Sequence, residues 1–117
     1  MIYALEAGAR QIVPCLEVED AREIASSLPP GEAVLGGERK GVLIDGFDLA
    51  NSPAEYTPSS VGGRTVVFTT TNGTRALAQC RSASAVYIGA FVNATALVER
   101  LIGQEQIHLV CAGTAGQ

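Results

Sequence analysis

Thr65-Val66-Val67-Phe68-Thr69-Thr70-Thr71-Asn72-Gly73-Thr74-Arg75-Ala76-Leu77 changes its period in the middle. Residues 65–70 read as a buried strand and 73–81 as a helix, so a strand turns through a short polar corner into a helix. The corner carries hydroxyls (Thr70, Thr71, Thr74), an amide (Asn72), a permissive glycine (Gly73) and a cation (Arg75). A helix N-terminus leaves N–H groups unpaired and bears partial positive charge, which suits an anion and phosphate in particular. The alternative is an ordinary N-cap, for which Asn and Thr serve in any helix.

Working outward, the alternation of helical and strand patterns continues on both sides. Residues 1–7 read as a helix closed by Gly8, and 11–15 as a short strand with Pro14 at its end. Residues 18–28 read as a helix, with Glu19 and Asp20 in the first turn and Ala21, Ile24, Ala25 and Leu28 on one face. Pro29-Pro30-Gly31 stops it, and 33–36 is the next strand. Residues 37–63 read as irregular, apart from a strand at 41–44. Beyond the corner come a strand at 85–89, a helix at 93–102 and a strand at 106–111. This order predicts the α/β class: βαβ crossovers, a mainly parallel sheet and helices layered α/β/α, in a single domain over 1–117. The chain opens inside a helix and closes just after a strand. The expectation is a piece of a longer polypeptide, with the sheet incomplete at both ends.

The 117 residues suffice for a real core, and the hydrophobic share with few charges excludes a disordered chain. A net charge of −4 argues against a general nucleic-acid surface, which needs clustered Lys and Arg. A small anionic ligand needs only a local positive field and is not excluded. Cys15, Cys80 and Cys111 are far apart with no Cys-x-x-Cys pair, and read as reduced thiols. No run is long enough for a membrane span and no basic signal-peptide start is present, so the expected compartment is the cytoplasm. Oligomeric state is not legible, and a homo-oligomer stays open.

Ligands of open α/β sheets sit beyond the carboxyl ends of the strands. Three such ends are expected on one edge: Thr70–Thr74, Gly89–Asn93 with Asn93 as a candidate contact, and Ala112–Thr114 with Gly113 and Thr114. A second constellation lies in the long irregular stretch. Glu38 and Arg39 follow a strand, and Gly46-Phe47-Asp48-Leu49-Ala50-Asn51-Ser52-Pro53 comes soon after. Arg39 offers a planar fork of donors for phosphate, sulfonate or carboxylate. Glu38 and Asp48, with Asp45 as an addition, offer hard oxygen ligands for Mg²⁺. Against this, Glu38–Arg39 reads equally as a solvated pair, and Asp48 and Asn51 as turn formers. Ser52 or Thr71 as a nucleophile lacks an adjacent base. His108, between Ile107 and Leu109, reads as structural.

Ala4-Leu5-Glu6-Ala7-Gly8-Ala9, Gly36-Gly37-Glu38-Arg39, Gly46-Phe47-Asp48-Leu49 with Asn51-Ser52-Pro53, Thr69–Leu77 and Cys111-Ala112-Gly113-Thr114 stand together in one order and spacing. In this the chain resembles the 2-phosphosulfolactate phosphatase family over essentially its whole length. The resemblance implies a Mg²⁺-dependent phosphatase that hydrolyses 2-phosphosulfolactate to sulfolactate and phosphate, a step toward coenzyme M in methanogens. It implies a small anionic phosphorylated substrate, with no nucleic acid and no membrane as partner. Candidate catalytic residues are then Glu38, Arg39, Asp48, Asn51 and Ser52, with Glu38 and Asp48 toward the metal. Candidate phosphate contacts are Thr70, Thr71, Asn72, Gly73, Thr74, Arg75, Asn93, Gly113 and Thr114. The family pattern has a strand ending in Asp-Val-Leu-Arg-Ala before the first helix and a Ser-Leu-Glu-Asp stretch after Cys-Ala-Gly-Thr. Both acid-bearing stretches are missing here, and Lys40 and Ala50 are minor departures. Rival readings are a phosphatase for another small phosphorylated acid, or a module that binds a phosphate ligand without hydrolysis.

Overall fold

The computed structural model of the chain describes residues 1–113, and its central strand is Thr65–Thr69. In chain order the elements are α1 (Ile2–Glu6), β1 (Gln11–Pro14), α2 (Val18–Ser27), β2 (Ala33–Arg39), β3 (Val42–Leu43), α3 (Pro58–Val61), β4 (Thr65–Thr69), α4 (Gly73–Gln79) and α5 (Ala94–Leu101). Short 3₁₀ turns occupy Pro53–Glu55 and Phe91–Asn93. The sheet order is β1-β4-β2-β3. β4 pairs in parallel with β1 (Val13 beside Val67) and with β2 (Leu35 beside Val67), while β3 returns antiparallel to β2 (Glu38 beside Leu43).

Every residue of β4 is buried, which is why its sequence is a continuous apolar and Thr run rather than an alternating one. The alternation appears instead in which side each residue faces. Val66 and Phe68 pack with Val34, Ala4 of α1, Val61 of α3 and Tyr56. Val67 packs on the opposite face with Ala21 of α2, Cys15, Ile44 and Phe47. Helices therefore cover both faces, giving the expected α/β/α layering. Each fully buried valine contributes about 2 kcal/mol of transfer free energy to this arrangement.

Four boundaries differ from expectation. β2 runs on through Gly37-Glu38-Arg39, which the sequence placed in a loop. These residues extend because β4 offers a partner as far as Thr69, opposite Gly37. The stretch 37–63 is also less irregular than expected. Asp48 and Leu49 run alongside β2, both donating N–H to the Leu35 carbonyl, and Gly37 N–H donates to Leu49 O. α3 is then nucleated by a reciprocal capping box between Thr57 and Ser60, with Pro58 in the first turn.

The expected strands at 85–89 and 106–111 do not form. A strand needs a hydrogen-bonding neighbour and a covered face, and among the described residues these segments have neither. Both edges of β4 are taken by β1 and β2. Leu109 is 86% exposed and Val98 of α5 is 62% exposed. α5 packs chiefly on the 3₁₀ turn before it, and Arg100 lies 5.6 Å from the Tyr87 ring. No helix among the described residues is long and apolar enough to cross a membrane.

Candidate anion-binding site

Because β1, β4 and β2 are parallel, their carboxyl ends share one edge, and Arg39 ties all three together. It stands at the end of β2, half-buried. Its guanidinium donates to the Leu16 carbonyl just past β1 (3.0 Å), to Thr69 Oγ1 at the end of β4 (2.9 Å) and to the Glu38 carbonyl (3.0 Å). Thr69 Oγ1 also donates to Leu16 O at 3.3 Å. All three acceptors are neutral. Among the described residues the ion pairs are Arg10–Glu32 and Arg22–Glu19, so Arg39 has no carboxylate at contact. A half-buried guanidinium with no carboxylate at contact, coupled to the Glu38 carboxylate only through space, puts positive charge at the edge where ligands of such sheets bind. Lys40 follows it, and the guanidinium of Arg75, exposed on α4, makes no hydrogen bond or ion pair among the described residues.

Glu38 does the opposite work and is not the solvated partner of Arg39. It is 8% exposed, and its carboxylate accepts from Thr71 N–H (2.8 Å), Thr71 Oγ1 (3.1 Å) and Gly41 N–H (2.7 Å). The Thr71 hydroxyl in turn accepts from Lys40 N–H at 3.3 Å. Lys40 adopts a left-handed backbone, φ 55°, which turns the chain from β2 into β3. Burial on its own pushes the Glu38 carboxyl up. The two N–H donors, the Thr71 hydroxyl and the Arg39 charge outweigh it and hold the group below its ordinary 4.5. A depressed folded value means that protonation favours the unfolded chain. The stabilisation is whole above the ordinary value and is lost as pH falls through the depressed one. Urea titrations should therefore show stability declining below about pH 4.5, and Glu38→Gln should flatten that part of the curve.

The Thr-rich corner forms as expected, but with the hydroxyls of Thr71 and Thr74 committed internally. Thr74 Oγ1 donates to Thr70 O (2.9 Å) and accepts from Thr70 N–H (3.4 Å), and both residues are buried. Asn72 stands at the N-cap position without a side-chain capping hydrogen bond. A Cβ at Gly73 would lie 3.2 Å from Thr70 Oγ1, a tight contact that the Thr70 side chain would have to relieve by a small shift.

The loop acids and polar residues separate. Asp48 Oδ2 accepts from Leu35 N–H at 2.8 Å, three residues before Glu38 on β2. Since Asp48-Leu49 runs parallel to β2, Ala50-Asn51-Ser52 leave toward the same edge, and Asn51 and Ser52 are exposed there. Ala50 is clamped on both sides: Glu55 Oε2 accepts its N–H and the Tyr56 hydroxyl donates to its carbonyl, each at 2.6 Å. Burial, aided by the Glu55 charge, raises the Tyr56 phenol and keeps it a donor. Tyr56→Phe should cost about 1–2 kcal/mol in chemical denaturation, because the buried contact to Ala50 is lost.

Two of the three expected strand ends are not strand ends. Asn93 closes its own turn, accepting from Ala90 N–H (2.8 Å) and donating to Ile88 O (2.9 Å). Gly113 is exposed and follows no strand, and Thr114 lies outside the described residues. Among the described residues the candidate groups at this edge therefore come from the ends of β2 and β4, with the Leu16 carbonyl just past β1. Thr69, Lys40, Glu55 and Tyr56 were not singled out from sequence. Only Thr69 carried a usable signal, as the first of three consecutive threonines at a strand end.

The two acids expected to face a metal are already hydrogen-bonded within the chain: Glu38 takes three donors, and Asp48 takes Leu35 N–H. Among the described residues no three His, Cys, Asp or Glu side chains gather as a metal cluster.

The fold is that of an α/β protein whose parallel strands bring their carboxyl ends to one edge, the edge where ligands of such sheets bind. A family model described as 2-phosphosulpholactate phosphatase matches residues 1–117, and the chain belongs to that family. It is 45% identical over 117 residues to a probable 2-phosphosulfolactate phosphatase of Clostridium beijerinckii, covering 99% of this chain and 49% of that protein. Proteins given the same description are 47% identical over 115 residues in Symbiobacterium thermophilum (97% of this chain, 49% of the relative) and 46% over 116 in Caldanaerobacter subterraneus subsp. tengcongensis (97% and 48%). The chain spans about half the length of the curated relatives it matches.

Proposed function

We propose that the complete polypeptide hydrolyses 2-phosphosulfolactate to sulfolactate and phosphate, and that the edge around Arg39 holds the phosphoryl group. The observation that carries this reading is a half-buried Arg39 fixed by three neutral oxygens with no carboxylate at contact. A guanidinium so held is pre-oriented, and of its five N–H donors the two not given to protein oxygens are left to meet a phosphoryl group. Lys40 and Arg75 add positive charge near the same edge, for the phosphate or for the sulfonate and carboxylate of the substrate. In the reaction, water adds to phosphorus as the ester oxygen departs and takes up a proton. Arg39 stabilises charge that grows on the equatorial oxygens. Membership of the family and the printed descriptions of the relatives support the substrate.

The test is phosphate release from 2-phosphosulfolactate by the complete polypeptide, with added Mg²⁺ and with excess EDTA. Turnover abolished by EDTA is the expected result and would establish the metal dependence that the family resemblance implies. Release only from other phosphorylated acids would change the substrate. Thermal stabilisation by the substrate without any release would replace catalysis by binding.

A further inference from the structure

We propose that Glu38 is a positioning residue, which shapes the phosphate-holding corner through Thr71 and is not a metal ligand. Glu38 reaches from the end of β2 to two separate backbone segments. Its Oε1 takes Thr71 N–H, and its Oε2 takes both Gly41 N–H and the Thr71 hydroxyl. Thr71 lies between the end of β4 and the start of α4, so its N–H fixes where Asn72 and Gly73 begin. Gly41 lies in the turn that carries Lys40, whose own N–H meets Thr71 Oγ1 at 3.3 Å. One carboxylate thus locks the β2–β3 turn to the β4–α4 corner, and the two segments flank Arg39. Three of the carboxylate's roughly four lone-pair sites are thereby taken by N–H and O–H donors, both of those on Oε2 among them, which leaves a cation one site at most on Oε1. Glu38 is buried among these partners, and no second carboxylate converges on it among the described residues.

The kinetic part of this inference rests on the phosphatase reading, and the structural part does not. Glu38→Gln is the informative change, because it keeps the volume but turns an NH₂ toward either Thr71 N–H or Gly41 N–H. In the complete polypeptide, amide exchange at Thr71 and Gly41 should speed up by roughly tenfold or more, with exchange in β4 unchanged. KM for 2-phosphosulfolactate should rise by about tenfold, while the Mg²⁺ concentration for half-maximal rate stays within about twofold. Thr71→Val should reproduce the KM effect, Thr71→Ser should restore most of it, and Glu38→Gln with Thr71→Val should cost little more than either alone. The proposal is overturned if exchange at Thr71 and Gly41 does not change in Glu38→Gln. It is overturned equally if the main effect is a raised Mg²⁺ requirement that excess Mg²⁺ repairs. If the wild-type polypeptide releases no phosphate, the functional reading fails, and the exchange measurement alone decides the role of Glu38.

Discussion

Arg39→Ala in the complete polypeptide is expected to lower kcat/KM for 2-phosphosulfolactate by roughly 10²- to 10³-fold. Among the described residues the guanidinium is the cation fixed at the shared edge of β1, β4 and β2, with hydrogen bonds to Leu16 O, Thr69 Oγ1 and Glu38 O. A donor held in place before the reaction loses nothing to reorganisation when charge grows on phosphorus, which is why its removal costs about 3–4 kcal/mol of transition-state stabilisation. Arg39 also ties strand ends together, so part of the loss could come from the fold. Arg39→Lys separates the two effects. It keeps the charge and loses the fork, so most of the activity should still be missing while the protein unfolds at nearly the wild-type urea concentration. An Arg39→Ala variant with unchanged kcat/KM would remove Arg39 from the site.

Gly37→Ala is expected to be the most damaging small substitution for stability, at about 3 kcal/mol. Gly37 sits in β2 opposite Thr69, with its N–H donated to Leu49 O. A Cβ at Gly37 would run into the Thr69 carbonyl. That carbonyl belongs to the central strand, which is paired on both edges and cannot yield as a flexible side chain would. Neighbouring Gly36 is under similar pressure, since a Cβ there would lie 2.5 Å from the Tyr56 hydroxyl. Gly41→Ala is the comparison. Its Cβ meets nothing within 4 Å, and the cost is the left-handed backbone alone, φ 79°, on the order of 1 kcal/mol. Equal urea midpoints for the two variants would show that β4 accommodates the methyl group and that the packing argument fails.

These two residues also show what was readable in advance. Arg39 was singled out for its donor fork, and its charge and planarity are properties of the residue type. Gly37 was quoted only as part of Gly36-Gly37-Glu38-Arg39, because a glycine pair read as loop chemistry. In the fold the pair lets β2 lie close against β4 and Tyr56, a close approach that becomes visible only when another strand is in place. Thr71 and Thr74 were read as free hydroxyls for phosphate, yet both are used to hold the corner's shape. Side-chain inventory suggests which chemistry a segment can do, but hydroxyls form short-range bonds of either kind with similar ease.

The strands at 85–89 and 106–111 mark the other limit. Their apolar, β-branched composition is real, and a strand period in isolation is still only a preference. Local sequence determined the elements whose stabilising partners are close by or strongly apolar: α1, α2, the buried run of β4, the turn into α4, and through their alternation the α/β class. Tertiary structure decided the rest: that β4 lies between β1 and β2, that β2 extends through Glu38 and Arg39, and that Glu38 faces Thr71 across 33 residues. Periodicity is set by the backbone a few residues at a time. Strand order and carboxylate partners depend on which distant surfaces become buried together, and that information is carried by no single stretch of the chain.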